Sequence, residues 1–172
     1  MNRLPNRAGA RPRTSAQTPH TQLDQQPTDD RFTTAVIDEA RRWPRVVEQE
    51  SGISVEGARA LVLDDGRAGG GPGTTEAFLI GREFCHAHPN DDLSFHAALP
   101  LDLAVEAERA GWVEPHFLVR TGRLPATIVM IYAPRDEDEY ETVLQLVRSS
   151  YEFALSQADT TGHTGLERAE LR

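Results

Sequence analysis

The sequence is short of cysteine: Cys85 stands alone. One cysteine closes no internal disulfide, which excludes a disulfide-held scaffold and fits a reducing, cytoplasmic setting. Cys85 is read as a small strand hydrophobe rather than as a nucleophile. Long hydrophobic runs are also missing. No stretch approaches about 18 consecutive apolar residues, so no membrane-spanning segment is expected. No apolar run follows the early arginines, as a secretory signal would require. Positive charge is scarce, with 18 Lys and Arg against 27 Asp and Glu and a formal net charge of −9. Such a chain is repelled by phosphate backbones, which argues against general nucleic-acid binding. Arg3, Arg7, Arg11 and Arg13 are the local exception, and they are too sparse for a dense basic arm.

Apolar side chains are scarce overall, at 38%, and the deficit is uneven. Residues 1–29 hold almost no large ones beyond Leu4 and Leu23. The last stretch is similarly poor. Segments that cannot bury apolar surface do not offset the entropy of ordering. The expected organisation is therefore a disordered tail over 1–29, one domain over 30–157 and a second disordered tail over 158–172.

Within the domain, Phe32, Val36, Ile37 and Ala40 recur at helical spacing until Trp43-Pro44, where the residue before proline leaves the α region. Ala60 to Leu63 reads as a strand, and so does Glu76 to Ile80. The glycine-rich stretch between them lacks the Gly-Lys-Ser/Thr ending of a phosphate cradle and reads as a strand-to-strand loop. Arg82–His88 and Leu93–Leu99 flank a polar turn at Pro89–Asp92 and form a hairpin. Leu101–Ala110 is a helix stopped by Gly111. Trp112–Arg120 reads as mostly extended. Ala126–Ala133, the most β-branched run, is expected to be a central strand. Glu137 to about Ser156 carries the clearest helical period, through Tyr140, Val143, Leu144, Val147 and Tyr151. The fold class is α+β: a mainly antiparallel sheet of about five strands with helices packed on one face.

Of the six histidines, four fall on predicted strands: His86, His88, His96 and His116. Side chains two apart on a strand share a face, so His86 and His88 project together. A tight hairpin places His96 across from one of them, and His116 can join from a neighbouring strand. Neutral imidazoles are the commonest ligands of a divalent transition metal. Glu83, Asp91 or Asp92 could then serve as a base. On a regular strand Glu83 would face away, and a bulge would change that. The other reading keeps the histidines as structural groups on a polar sheet face.

The chain resembles the luciferase domain family. The resemblance rests on Gly81-Arg82-Glu83-Phe84-x-His86-x-His88-Pro89, Ser94-Phe95-His96-x-x-Leu99-Pro100, Ala110-Gly111-Trp112-x-Glu114-x-His116, and Tyr132-Ala133-Pro134-Arg135 with Ser150-Tyr151 downstream. Trp43-Pro44 and Glu76-x-Phe78 extend it over about residues 32–156. Cys85 and Phe95 stand where other small or aliphatic residues would be expected. The resemblance implies a recurring polar set of Glu83, His86, His88, His96, His116 and Arg135. It implies no reaction and no light emission, and the chain is too short for a TIM barrel. Two expectations follow. One is a pocket for a small-molecule ligand, in which the four histidines hold a metal, Glu83 handles protons and Arg135 binds an anionic group. The other is a protein-interaction or homo-oligomeric module, for which the acidic face of the last helix (Glu137, Asp138, Glu139, Glu141) would suit a partner.

Overall fold

The computed structural model describes residues 3–64 and 73–166, with side chains as far as 158. The glycine-rich stretch of the sequence falls largely on 65–72, outside the described residues. The elements are α1 (Arg31–Ala40), β1 (Val46–Glu50), β2 (Arg59–Leu63), β3 (Glu83–Ala87), β4 (Phe95–Ala98), α2 (Leu101–Ala110), β5 (Val113–Pro115), β6 (Ile128–Ile131) and α3 (Glu137–Leu166). The strands form a six-stranded sheet in the order β1-β2-β3-β4-β6-β5. Every neighbouring pair is antiparallel. No helix among the described residues is long and apolar enough to cross a membrane.

The sixth strand is β1. As an edge strand it buries little, and the polar residues of Val-Val-Glu-Gln-Glu mask it in the sequence. The expected strand over Glu76–Ile80 does not form. Its backbone groups are spent on a reversal instead: Leu79 donates to the Glu83 carbonyl and Glu83 to that of Ile80, around Gly81 at φ 56°. Ala77, Phe78 and Leu79 are buried all the same. The 83–99 hairpin forms as expected, with Cys85 opposite Ala97 and His86 opposite His96. β6 lies between β4 and β5. α2 ends on Gly111 at φ 85°, a left-handed position that glycine takes without strain.

α1 and α3 pack together, and both lie against the sheet. The main core joins Val36 and Ile37 of α1, Leu61 and Leu63 of β2, Phe84 of β3, Phe95 of β4, and Val143, Leu146 and Val147 of α3. The Tyr151 hydroxyl donates to the Pro44 carbonyl, and its ring sits 5.3 Å from Trp43 and 6.0 Å from Phe84. The Ser150 hydroxyl donates to the Phe84 carbonyl. One sheet face is thus closed by helices, and the alternate side chains of β3, β4 and β6 are left for the other.

The ends of the chain differ from the reading of composition. α3 runs on to Leu166, into the segment expected as a tail. The segment before α1, expected as a disordered tail, lies along the domain. Leu4 enters the main core. Trp112 Nε1 donates to the Pro5 carbonyl, and the Arg7 amide donates to the Ala110 carbonyl. The Arg7 guanidinium is buried beside Glu139 at 3.3 Å. A small antiparallel turn follows, with Thr14 bridged to Gln22. The Ala133 amide donates to Gln22 Oε1. These contacts are mostly polar and long-range, and apolar composition does not register them.

Candidate functional site

The face of the sheet turned away from α1 and α3 carries the histidines. β3 has a bulge against β2: Leu61 pairs with Cys85 and Val62 with Glu83, which leaves Phe84 without a partner residue. One extra residue reverses the alternation. Glu83 is therefore brought to the side of His86, where the two groups meet at 2.7 Å. His88 follows β3 directly and turns the same way as His86, with ring centroids 5.3 Å apart. His96 sits opposite His86 in the register. His116 lies after β5 rather than on a strand, and its Nδ1 caps the short 3-10 turn Phe117–Thr121 by accepting from the Leu118 amide. The structure thus brings together all four predicted histidines.

A fifth joins them. His20, from the N-terminal segment, is buried with its Nδ1 3.2 Å from His96 Nε2 and its Nε2 2.8 Å from Glu114. Nothing in the local sequence around His20 marks it, because its role depends on how its segment is laid down.

The cluster is organised by three carboxylates, each fixing the outer nitrogen of one ring. Glu83 accepts from His86 Nδ1, and its oxygens also accept from the Ser51 hydroxyl at 2.8 Å and the Gly52 amide at 3.0 Å. Asp92 accepts from His88 Nδ1 at 2.6 Å and from the Ser94 hydroxyl at 2.6 Å. Glu114 accepts from His20 Nε2 and, at 3.2 Å, from the Tyr132 hydroxyl. A carboxylate only accepts, so it selects the tautomer that leaves a lone pair on the inner nitrogen. The inner nitrogens of His86 and His20 both face His96, each at 3.2 Å. A neutral His96 has one N–H and can satisfy one of them. The other contact sets two lone pairs against each other.

Electrostatics sharpen this. Burial holds His96 well below its ordinary pKa, and the neighbouring imidazoles push the same way. His86 is also lowered, by burial first, against the opposing hydrogen bond to Glu83. His116 is lowered to about 4 by burial and then by His20. Burial is the largest single influence on Asp92 and Glu114 and works against their charged forms, yet the hydrogen bonds and charge interactions around them, those from His88 and His20 foremost, together hold both carboxyls low. At His86, His96 and His116 the site therefore favours the neutral imidazole, and at Asp92 and Glu114 the ionised carboxylate, the protonation states that metal binding needs.

The rings form the floor of a cavity of about 310 Å³, walled by Ile53, Val55, Leu79, Leu118, Leu124 and Ile128. Thr18 and Pro19 of the N-terminal segment line it as well. His86, His88 and His96 offer ligand atoms within 4.8 Å of one another, and so do His20, His96 and His116. Two residues of the predicted site do not line this cavity. Arg135 is engaged with Glu139, the Ala8 carbonyl and Gln25. Glu83 is packed behind His86 with both oxygens bonded, so it is placed to orient the ring rather than to exchange protons with a ligand.

Cys85 faces the main core, fully buried. Burial, and then the Glu83 carboxylate, push its thiol pKa far up. In the native protein Cys85 is expected to resist a thiol-reactive disulfide reagent and to react fully in denaturant. Rapid native labelling would show that the sheet opens around β3, which is paired on both sides by β2 and β4.

A family model described as Luciferase domain matches residues 81–150, from the turn ahead of β3 to Ser150 of α3. The resemblance to that family holds over this stretch, which contains the hairpin, His116 and most of the sheet. No curated protein and no solved structure matches the chain.

Proposed function

We propose that the domain is a metal-dependent small-molecule pocket, with a divalent transition metal at His86, His88 and His96. The observation that carries the reading is the pair of carboxylate-fixed rings, His86 and His88, set beside His96 at the floor of an apolar cavity. Tetrahedral zinc with bonds of about 2.0–2.1 Å separates its nitrogen ligands by roughly 3.4 Å. His86 Nε2 and His96 Nδ1 stand at 3.2 Å, close to that spacing. Three protein ligands leave a coordination position for water or ligand, the arrangement of reactive rather than structural zinc sites.

Each part of the pocket would then act in turn. The aliphatic wall takes the apolar body of a ligand and excludes water. A metal held by His86, His88 and His96 would supply a site for a polar head with oxygen or nitrogen donors. When bound, the metal supplies Lewis-acid polarisation and lowers the pKa of a coordinated water. Glu83 and Asp92 hold His86 and His88 in the ligating tautomer. The reaction class this favours is hydrolytic or oxidative turnover of a small amphipathic molecule.

The test is metal analysis of the purified, untagged chain beside a His86→Ala/His88→Ala variant. Bound metal in the wild type and its loss from this site in the variant, with helix content preserved, is the expected result. A metal-free wild type, and a variant that is merely less stable, would return these histidines to a structural role.

A further inference from the structure

We propose that the pocket holds a second divalent transition-metal ion between His20, His96 and His116, bridged through the His96 ring to the ion at His86, His88 and His96. The inference rests on the reading of the first site and extends it. Its basis is the placement of His96. A histidine that serves one ion normally gives its other nitrogen to a carboxylate, a carbonyl or water. His96 has no such partner. Its Nδ1 faces His86 and its Nε2 faces His20, at 3.2 Å each. Both sides of the ring therefore meet a nitrogen that a carboxylate has turned into a ligand.

The second position also has its own orienting shell. Glu114 fixes His20 through Nε2, and the Tyr132 hydroxyl holds Glu114 in place. This repeats the pairing of His86 with Glu83 and of His88 with Asp92. Met130 of β6, fully buried, is the cross-strand partner of both His96 and Glu114, so the bridge and the carboxylate are braced on the two strands that flank β6. The His116 ring centroid lies 4.7 Å from that of His20 and 4.9 Å from that of His96. Its Nδ1 accepts a long bond, 3.2 Å, from the Leu118 amide. Coordination through Nε2 exchanges the tautomer and gives up that bond.

Loading both ions converts His96 to a bridging imidazolate, and its ring proton leaves to solvent. The donor set, all nitrogen, suits zinc or copper. His20 belongs to the N-terminal segment, which also places Thr18 and Pro19 over the cavity. The second ion would therefore fasten that segment across the pocket.

The experiment is a zinc titration of the metal-free, untagged full chain by calorimetry, beside His20→Ala and His20→Asn. Copper(II) spin resonance on the loaded samples is the second readout. The expected result is about two equivalents in the wild type and about one in each His20 variant. The wild-type copper signal should be attenuated by coupling through the bridge, and the variant should give a normal isolated-copper signal. One equivalent in all three proteins would overturn the second site and leave the first standing. Two in all three would remove His20 from it. One in the wild type and none in the variants would replace both positions with a single ion held by His20. None in the wild type would overturn both readings together. The Asn variant keeps a polar group of similar reach, so a fold defect specific to Ala is recognisable.

Discussion

A chain carrying Glu83→Ala is expected to bind zinc about 10–100-fold more weakly than the wild type, although Glu83 does not line the cavity. The carboxylate makes three bonds in a buried position: to His86 Nδ1, to the Ser51 hydroxyl and to the Gly52 amide. Without it, His86 can take the tautomer that puts its proton on Nε2, where the metal would bind. The metal-free protein should suffer as well. Donors left without an acceptor in a buried place cost about 1–3 kcal/mol. Glu83→Gln separates the two effects. An amide oxygen can still accept from Ser51 or Gly52, so most of the stability returns. The amide no longer offers two accepting oxygens, so the affinity does not return fully. Zinc titration and urea unfolding of the three proteins check this. Wild-type affinity in Glu83→Ala would mean that His86 needs no orienting partner, and the case for a metal at this ring would weaken.

The bulge that makes Glu83 a partner of His86 shows where the sequence stops being legible. Alternation puts residues 83 and 86 on opposite faces, and only the extra residue at Phe84 reverses this. Its cause lies in how β2 meets β3, which no local pattern records. The hairpin, α2 and α3 were readable because turn chemistry, a C-terminal glycine and a 3.6-residue period are local signals. The strand expected over Glu76–Ile80 carried the right side chains, but the reversal at Gly81 took its backbone bonds. β1 was missed because an edge strand needs only one ladder and little burial.

The N-terminal segment is the larger lesson. With Leu4 and Leu23 its main apolar residues, composition set it outside the domain. Yet Arg7, His20 and Gln22 are buried. Each is held by a polar group far away in sequence: Glu139, Glu114 and the Ala133 amide respectively. Arg135 belongs to the same system. Its guanidinium binds Glu139 and the Ala8 carbonyl, so it helps anchor the segment instead of lining the pocket. Glu139 is drawn out of the supposed acidic docking face by these contacts. Four of the five clustered imidazoles were thus visible in the sequence, three from the hairpin and His116 from a strand that in fact ends at Pro115. The fifth was not, because a hydrogen-bonded strap leaves no periodic mark.

The metal-free chain is expected to lose stability as pH falls from about 6.5 towards 4. His86, His96 and His116 are all held below the ordinary imidazole value of 6.5, in each case by burial first. In the unfolded chain these rings take up protons near 6.5, whereas in the folded protein they refuse them. The unfolded state therefore binds more protons across this window, and stability rises with pH there. The loss continues until the folded groups protonate, which for His116 happens at about 4. Asp92 and Glu114 act in the same direction lower down, because folding holds both carboxyls below their ordinary values of 3.8 and 4.5. Urea midpoints from pH 8 to pH 4, with chelator present, measure the slope. Adding zinc should raise the midpoints near neutrality and steepen the fall in acid, since protons and metal compete for the same lone pairs. A profile flat from 6.5 to 4 in the metal-free chain would mean that the rings take up protons while still folded. The cluster would then be solvated, and the dry floor on which the metal reading depends would not exist.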